Sequence, residues 1–331
     1  MSDNTNINRT QKARAHTNIA LIKYWGKADE QLIIPEDNSL SLTLKDFYTD
    51  TEVRFDKDLT ADEIVFNNHL MNKAESQKMI NFLNIVRQKA QQNIFAHVKT
   101  QNNIPTAAGL ASSASGFAAL AAASSKAIGL DLSRKDLSRL ARRGSGSATR
   151  SIFGGFVEWE KGNNDQTSFA KPIEENVDWD VNLVAVITNR HEKKISSRRG
   201  MKISKATSPY YQAFKQVTSR DLITMKKAIS NHDFDLMGHT AEENAMKMHA
   251  LTFSSDPSFT YFNGDTLKAM QLVHELRNEG INCYFTIDAG PNVKVLVQHD
   301  NLKKVIRKFK TAFGQSNVVA TVPGPGIEYL N

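Results

Sequence analysis

Cysteine is almost missing from this chain of 331 residues, since Cys283 is the only one. One thiol cannot form a disulfide within the chain, so a disulfide-stapled fold is excluded, and the apolar neighbours of Cys283 predict a buried strand. Long apolar runs are missing too. The longest apolar-leaning stretch, 116–130, is interrupted by Ser124, Ser125 and Lys126 and is too polar to cross a membrane.

The first twelve residues, MSDNTNINRTQK, contain no apolar core. Such a segment is typical of a loose tail and not of a secretory signal. Together with the single cysteine, it leads us to expect a cytoplasmic protein with no membrane partner.

Three common site motifs are absent: G-x-x-x-x-G-K-[ST], a complete G-x-G-x-x-G, and G-x-S-x-G. Their absence excludes a Walker-type nucleotide loop, a dinucleotide-binding strand–helix unit and a nucleophile elbow for acyl transfer. The histidines His16, His191, His239 and His249 stand alone, with no metal-ligand spacing, so no zinc site is expected.

The chain is basic, with a formal net charge of +7 and a pI near 9.3, which is typical of a protein that binds anions. Aromatic residues do not alternate with the basic groups as they do on single-strand platforms, so no nucleic-acid partner is expected. A basic, non-catalytic nucleic-acid-binding protein stays open as a remote alternative. That alternative predicts salt-dependent binding to any polyanion and no ATP turnover.

Small residues fill the stretch 105–127, PTAAGLASSASGFAALAAASSKA. Pro105 and Gly109 predict a loop, and the Ala-rich residues from Ser112 and Ser113 onward predict a helix. Unpaired amides and the dipole at a helix N-terminus favour negative charge, so this junction is suited to a phosphate. An Ala-rich buried helix with a polar cap explains the same residues, and spacing alone leaves both interpretations open.

Periodicity predicts an α+β chain with two domains, 1–187 and 188–331. Strands are predicted at 19–24, 39–44, 52–56, 63–67, 96–100, 152–158, 183–188, 283–287 and 293–297. Helices are predicted at 78–91, after 112, after the capping residue Ser133, and at 208–216, 219–231, 234–248 and 265–278.

Three further features suggest chemistry. Lys23 and Lys27, with the phenol of Tyr24, suit a diphosphate at the end of the first strand. The segment 144–150, GSGSATR, forms a second donor-rich loop. Asp288 opens a turn between the last two predicted strands, which is the usual place of an Asx turn and equally suits a reacting carboxylate.

Six blocks of the sequence together resemble the mevalonate diphosphate decarboxylase family of the GHMP kinases. They are KARAHTNIALIKYWGK, the P-x-x-x-G-L-x-S-S-A loop at 105–114, RRGSGSATRSIFGGF, ISSRRGM, NAMKMHA and YFTIDAGPNVKVL. The resemblance implies a GHMP kinase fold, with an N-terminal domain like domain 2 of ribosomal protein S5 and a ferredoxin-like C-terminal domain. It places the substrate cleft between them.

The resemblance also implies a reaction: ATP and mevalonate 5-diphosphate give isopentenyl diphosphate, CO₂, ADP and phosphate, with Mg²⁺. Asp288 matches the carboxylate that deprotonates or orients the C3 hydroxyl. Arg150 matches the arginine that binds the substrate carboxylate and holds that aspartate. Phosphoryl transfer to a tertiary alcohol depends on positioning and charge neutralisation, which fits these groups.

The remaining site residues follow from the same resemblance. The substrate-binding residues are expected to be Tyr24, Trp25, Gly26, Lys27, Lys78, Ser145, Gly146, Ser147, Ala148, Thr149, Arg150, Ser197 and Arg198. The nucleotide-binding residues are expected to be Thr100, Pro105, Ala108, Gly109, Leu110, Ala111, Ser112, Ser113 and Ser115, with Ser113 also contacting Mg²⁺. Thr149 stands where many members have Cys.

The nearest alternative is another GHMP enzyme, such as a mevalonate 3-kinase or a decarboxylase of the monophosphate. Either would keep the phosphate loop but differ in the diphosphate groove or in the Asp–Arg pair. The family resemblance further leads us to expect a homodimer.

Overall fold

The computed structural model describes residues 9–103, 112–189 and 194–331. Several predicted loop residues lie outside these ranges, namely Pro105, Ala108, Gly109, Leu110 and Ala111, and so does the side chain of Ser112. The described residues form the predicted α+β structure, in which strands and helices are distributed along the whole chain.

The strands and helices of the described residues are numbered in chain order. The strands are β1 (Gln11–Ile22), β2 (Lys27–Asp29), β3 (Ile34–Pro35), β4 (Ser39–Asp56), β5 (Glu63–Phe66), β6 (His69–Leu70), β7 (Phe95–Asn103), β8 (Phe156–Glu160), β9 (Phe169–Glu174), β10 (Asn182–Val186), β11 (Cys283–Ile287), β12 (Val293–Val297), β13 (Val318–Thr321) and β14 (Glu328–Leu330). The α-helices are α1 (Lys73–Ala90), α2 (Ser112–Ala127), α3 (Arg134–Gly144), α4 (Ser197–Thr207), α5 (Tyr211–Ser230), α6 (Phe234–Phe253), α7 (Gly264–Asn278) and α8 (His299–Phe313). Gly146–Ile152 and Gln315–Asn317 form short 3-10 helices.

The long strand β4 organises the first sheet. Its residues 39–42 pair with β8, whereas residues 48–56 pair with β7. Strand β1 runs antiparallel to both halves of β4, with a register shift between His16 and Asn18. Among the described strands the order is β14-β1-β4-β7-β5-β6, and β9 joins the sheet through β8.

Helices α1, α2 and α3 cover one face of this sheet. The alanines of α2 are short, so the helix packs closely against β1 and β4. The hydroxyl of Ser115 is fully buried there and hydrogen-bonds to Thr17 and Thr49 at 3.3 and 2.8 Å. Phe82 and Phe117 pack edge to face, and burial of each contributes about 1.5–3 kcal/mol. These contacts fix the start of α2 over the sheet.

The second sheet has the antiparallel order β11-β12-β10-β13 in the described residues. Helices α7 and α8 pack on one of its faces around Val295 and Phe309. Helices α5 and α6 lie between the two sheets, where Met225 and Met237 share one core with Leu21 of β1 and Leu296 of β12. The two domains therefore meet over an apolar surface, and α5 and α6 hold them together.

Near the predicted domain boundary at residue 188, the two sheets share the chain unevenly. The second sheet already includes β10, and the last strand, β14, returns to the first sheet and pairs with β1. Among the described helices, none is long and apolar enough to span a bilayer.

Two predicted helices need correction, and a third helix was not predicted. Helix α1 starts at Lys73 and not at Lys78, because Asn72 and Glu75 form a capping box. Helix α5 is continuous from Tyr211 to Ser230, since Ser219 bonds back to the carbonyl of Lys215 and does not cap a new helix. Helix α4 was not predicted as a helix; Ser196 caps it by accepting the Arg199 N–H.

Candidate active site

A cavity of about 460 Å³ lies between the two domains. It brings together most of the predicted site residues, namely Tyr24, Trp25, Lys27, Lys78, Ser113, Ser145, Gly146, Ser147, Arg150, Ser197, Arg198 and Asp288. Residues from β1, α1, α2 and the 3-10 helix at 146–152 form one wall. The start of α4 and the turn after β11 form the other.

Lys23 and Asp288 both line the cavity and form an ion pair in its wall. The Lys23 ammonium donates to Oδ1 of Asp288 at 2.8 Å, to Oγ1 of Thr286 at 2.7 Å and to the carbonyl of Ala20 at 2.7 Å. An ammonium has three donors, and each of these has an acceptor. Lys23 is 3% exposed, whereas the Asp288 side chain is 30% exposed and faces the cavity.

Asp288 is held in its ionised form. Burial acts to raise its pKa, but the ammonium groups of Lys23 and Lys294 and the guanidinium of Arg150 outweigh burial and lower the pKa below its usual range. The carboxylate is therefore a weak base and a strong hydrogen-bond acceptor at neutral pH. Burial lowers the pKa of Lys23, against the opposing effect of Asp288.

Arg150 reaches the cavity from the 3-10 helix and is almost fully buried. Its guanidinium donates to Oγ of Ser41 at 2.9 Å, to Oγ of Ser39 at 2.6 Å and to Oδ1 of Asn18 at 3.4 Å. Burial lowers its pKa to about 10, and the nearby Asp288 opposes that shift. The resemblance predicted that Arg150 holds the aspartate. In the structure Lys23 makes that hydrogen bond, and Arg150 acts on Asp288 through its charge.

One side of the cavity is strongly cationic. The Lys27 ammonium lies 2.5 Å from Oε2 of Glu30, and Lys78 lies over the ring of Phe117 at 4.4 Å. Partial loss of hydration, together with the charges of Arg198 and Lys27, lowers the pKa of Lys78 to about 8. These cations repel one another in the free protein, so an anion placed among them would be stabilised.

Helix α4 adds to this positive field, because its first turn faces the cavity with Ser197 and Arg198. Gly200 lets the helix pack closely against Tyr261, since a Cβ there would lie 2.4 Å from the hydroxyl of Tyr261. Gly146 likewise lets the 3-10 helix pack closely against Tyr24, since a Cβ there would lie 2.8 Å from the ring of Tyr24. Burial raises the pKa of Tyr24, so its hydroxyl stays protonated and can donate to an anion.

Three serine hydroxyls gather where α2 begins. The Ser145 hydroxyl lies 3.4 Å from that of Ser113 and 3.3 Å from that of Ser147, and all three line the cavity. Neutral donors at a helix N-terminus suit phosphate oxygens. Mg²⁺ prefers oxygen ligands and binds largely through substrate phosphates, so the Ser113 hydroxyl fits the donor chemistry of this ion.

Four predicted site residues are buried away from the cavity lining: Thr100, Ser115, Ala148 and Thr149. Thr100 bonds to Thr51 across two strands at 2.8 Å, and Ser115 anchors α2 to the sheet. The Thr149 hydroxyl is buried without a hydrogen-bond partner in the described residues. Gly26 does not line the cavity either. It has φ +130°, and a Cβ there would meet the Tyr211 hydroxyl, so it shapes the chain between Trp25 and Lys27.

Sequence reasoning missed the hydrogen-bond partners of Asp288 and Arg150. It predicted that Lys23 binds a diphosphate, whereas in the structure Lys23 donates a hydrogen bond to Asp288. It did not single out Asn18, Ser39 or Ser41, which hold Arg150. The alternation of Ser39 and Ser41 on one face of a strand was a usable signal, because two hydroxyls at i and i+2 point to the same side.

The fold and this cavity define a two-domain ATP-dependent enzyme of the GHMP kinase class. The family model of the diphosphomevalonate decarboxylase-like N-terminal domain matches residues 15–170, and that of the mevalonate 5-diphosphate decarboxylase C-terminal domain matches residues 183–325. The chain belongs to the diphosphomevalonate decarboxylase family.

Individual relatives agree with this assignment. The diphosphomevalonate decarboxylase of Debaryomyces hansenii is 35% identical over 90% of this chain and 81% of its own length. The mevalonate diphosphate decarboxylase of Staphylococcus aureus has a crystal structure that is 48% identical, with a TM-score of 0.94 and 98% of both chains covered. A structure of MDDEF in complex with MVAPP, AMPPCP and magnesium is 51% identical, with a TM-score of 0.93, and covers 97% of this chain and 99% of that one.

Proposed function

We propose that this chain catalyses the ATP-dependent decarboxylation of mevalonate 5-diphosphate to isopentenyl diphosphate, with release of CO₂, ADP and phosphate. The observation that carries the proposal is the arrangement in one cavity of an ionised Asp288, a buried Arg150 and a separate cationic side. The related complex with MVAPP, AMPPCP and magnesium supports the choice of substrates and of Mg²⁺.

Asp288 orients the C3 hydroxyl of the substrate. Its low pKa makes it a poor base for an alcohol but a strong acceptor for the hydroxyl proton. Holding this oxygen in line with the γ-phosphoryl group supplies most of the rate acceleration for phosphoryl transfer to a tertiary alcohol. As the C3 oxygen bonds to the γ-phosphorus, the bond from that phosphorus to the bridging oxygen of ATP breaks and ADP leaves. The hydroxyl becomes acidic as this bond forms, so its proton passes to the carboxylate of Asp288.

Arg150 binds the substrate carboxylate. A guanidinium offers a planar pair of donors that matches a carboxylate, and Ser39 and Ser41 fix its plane. When the C3–O bond breaks, the phosphate leaves with its electron pair; the electron pair of the bond between the carboxylate carbon C1 and C2 then forms the C2=C3 double bond, and CO₂ is released. The neutral Ser145 and Ser147 hydroxyls nearby do not oppose positive charge at C3.

The diphosphate of the substrate binds on the cationic side. Lys27 and Arg198 supply charge, while Tyr24 and Ser197 at the start of α4 supply neutral donors. In the free protein Lys27 pairs with Glu30, an exposed residue, so a phosphate can replace that partner at small cost. Lys78 adds a charge at the same edge.

The nucleotide binds at the start of α2. The N-terminal amides of this helix and the Ser113 hydroxyl bind the phosphates, and Ser113 is the protein group that would hold Mg²⁺. Ser112 joins them on the strength of the family motif alone. Mg²⁺ at this position would neutralise negative charge on the phosphates.

CO₂ release from mevalonate 5-diphosphate labelled at C1, with ATP and Mg²⁺, tests the proposal. We expect CO₂, ADP and phosphate in equal amounts. ADP and a C3-phosphorylated product without CO₂ would instead identify a 3-kinase, and release of CO₂ only from the monophosphate would identify the other alternative. Asp265→Asn, on the exposed first turn of α7, is the matched control and should keep wild-type activity.

Two further expectations belong to this proposal: a cytoplasmic location, which the composition predicts, and a homodimer, which the family resemblance predicts. The single, buried Cys283 accords with a reducing compartment. Sedimentation velocity over a range of protein concentrations tests the dimer, and a monomer at all concentrations would overturn it.

A further inference from the structure

Helix α6 contacts the backbone of Lys23 and of Ile287, the residue before Asp288, through two side chains of the block NAMKMHA at 244–250. Asn244 and His249 are each fully buried. Neither has a role in the reaction proposed above, although burial of a polar side chain is costly unless its groups are hydrogen-bonded. Their partners therefore indicate why they are present.

Asn244 holds the backbone of Lys23. Its Oδ1 accepts the N–H of Lys23 at 2.8 Å, and its Nδ2 donates to Oδ2 of Asp221 on α5 at 2.9 Å. The amide orientation is unambiguous, because the backbone N–H can only donate and the carboxylate can only accept. Lys23 follows directly after the last residue of β1, so this bond fixes where its side chain starts.

His249 holds the residue that precedes Asp288. Its Nε2 lies 3.3 Å from the carbonyl oxygen of Ile287, the last residue of β11. The ring packs against Phe262 at 4.3 Å and against Tyr261 at 6.1 Å between centroids. The carbonyl accepts and so requires a proton on Nε2, and burial and the charge of Lys23 lower the pKa of His249 to about 3, so the imidazole is neutral.

We propose that Asn244 and His249 are positioning residues, which hold Lys23 and Asp288 from one helix so that the ammonium stays within bonding distance of the carboxylate. This inference rests on the proposed function, because it assumes that Asp288 acts on the substrate. Neither residue lines the cavity, so their loss should change the placement of Asp288 and not the binding of substrates.

Two variants of His249 separate its hydrogen bond from its packing. His249→Phe keeps an aromatic ring against Phe262 and Tyr261 but has no N–H, whereas His249→Gln keeps a donor and loses the ring. We expect kcat of the Phe variant to fall by about tenfold to a hundredfold, since misplacing a reacting group by about 1 Å has such an effect. We expect the Gln variant to keep kcat within a few-fold of wild type.

Substrate binding and the pH profile provide the second readout. The charged groups that face Asp288 are Lys23, Arg150 and Lys294, and none of them is changed. A weaker contact with Lys23 raises the pKa of Asp288, so the acid limb of the kcat profile should move to higher pH in His249→Phe. KM for ATP and for the diphosphate should stay within about twofold, as expected when only a transition-state interaction is lost.

Thr240→Val is the matched control. Thr240 is a buried polar residue of the same helix whose hydroxyl bonds to the carbonyl of Leu236, and its variant should keep the wild-type profile. If His249→Phe does not fold, Asn244→Ala applies the same test from the Lys23 side, with the same loss of kcat expected. A Phe variant with wild-type kcat and acid limb, or a Gln variant that loses as much as Phe, would overturn the inference. Asp288→Asn, assayed in parallel, shows separately whether the proposed function itself fails.

Discussion

Nζ of Lys23 lies 2.8 Å from Oδ1 of Asp288, although 265 positions separate the two residues in the chain. Lys23 follows the first strand of the N-terminal sheet, and Asp288 follows a strand of the C-terminal sheet. Their contact therefore depends on correct docking of the two domains. It sets the charge of Asp288, on which the proposed chemistry depends.

Replacing Lys23 by a neutral residue should show that the charge of Asp288 depends on this ion pair. In Lys23→Met, burial of Asp288 is no longer offset by the nearest charge, so its pKa rises. Because the pKa of Asp288 lies below its usual range in the wild-type protein, activity that needs the carboxylate persists to low pH and is lost as pH falls through that pKa. The acid limb of kcat should move to higher pH in the variant, and kcat at neutral pH should fall about a hundredfold or more.

Lys202→Met provides the control for this experiment. Lys202 is an exposed residue of α4, so its variant loses the same charge without touching the cavity. Profiles of Lys23→Met and wild type that coincide would show that the ion pair does not govern Asp288.

The cationic side of the cavity should govern binding of the diphosphate. Lys27→Ala and Arg198→Ala are expected to raise KM for mevalonate diphosphate more than they lower kcat, because these groups hold a part of the substrate that does not react. Binding titrations with mevalonate and with its diphosphate measure the effect, with Lys303→Ala on the exposed face of α8 as control. If both variants bind the two compounds equally well, the diphosphate lies elsewhere.

The start of α2 should govern use of ATP. Ser113→Ala removes a hydroxyl from the cavity wall, and Ser112→Ala removes the hydroxyl of the preceding residue in the family motif. We expect KM for ATP to rise in both variants and more in Ser113→Ala. Steady-state kinetics at varied ATP and Mg²⁺ measure this effect. A wild-type KM for ATP together with a wild-type kcat in both variants would contradict the assignment.

Local sequence signals predicted some elements well. The bounds of β11 and β12 were predicted correctly, because two apolar runs flank a turn with Gly and Pro. Helix α3 begins after Ser133, as its capping pattern predicted. By contrast, β4 is one strand and not two, since its two halves pair with different neighbours and no local signal records such pairing.

The site was predictable in its residue types but not in its connections. Family motifs pointed to Asp288 and Arg150, yet the bonds from Lys23 to Asp288 and from Arg150 to Ser39 join segments that are far apart in the chain. Such bonds depend on how sheets and domains pack, and periodicity carries no information on this. For the same reason the sequence predicts that Ser115 binds the nucleotide, whereas in the structure its hydroxyl bonds to Thr49 and anchors α2 to the sheet.

The kcat of Asp288→Asn tests the central claim most directly. Asn is nearly isosteric and keeps an acceptor for Lys23, so folding and ATP binding should survive, but its neutral amide orients the C3 hydroxyl poorly. We expect kcat for CO₂ release to fall by about 10²–10⁴-fold, with a melting temperature near that of wild type. An Asp288→Asn enzyme that turns over within a few-fold of wild type, beside an Asp288→Ala variant that loses only stability, would show that Asp288 is a turn residue and would contradict the account.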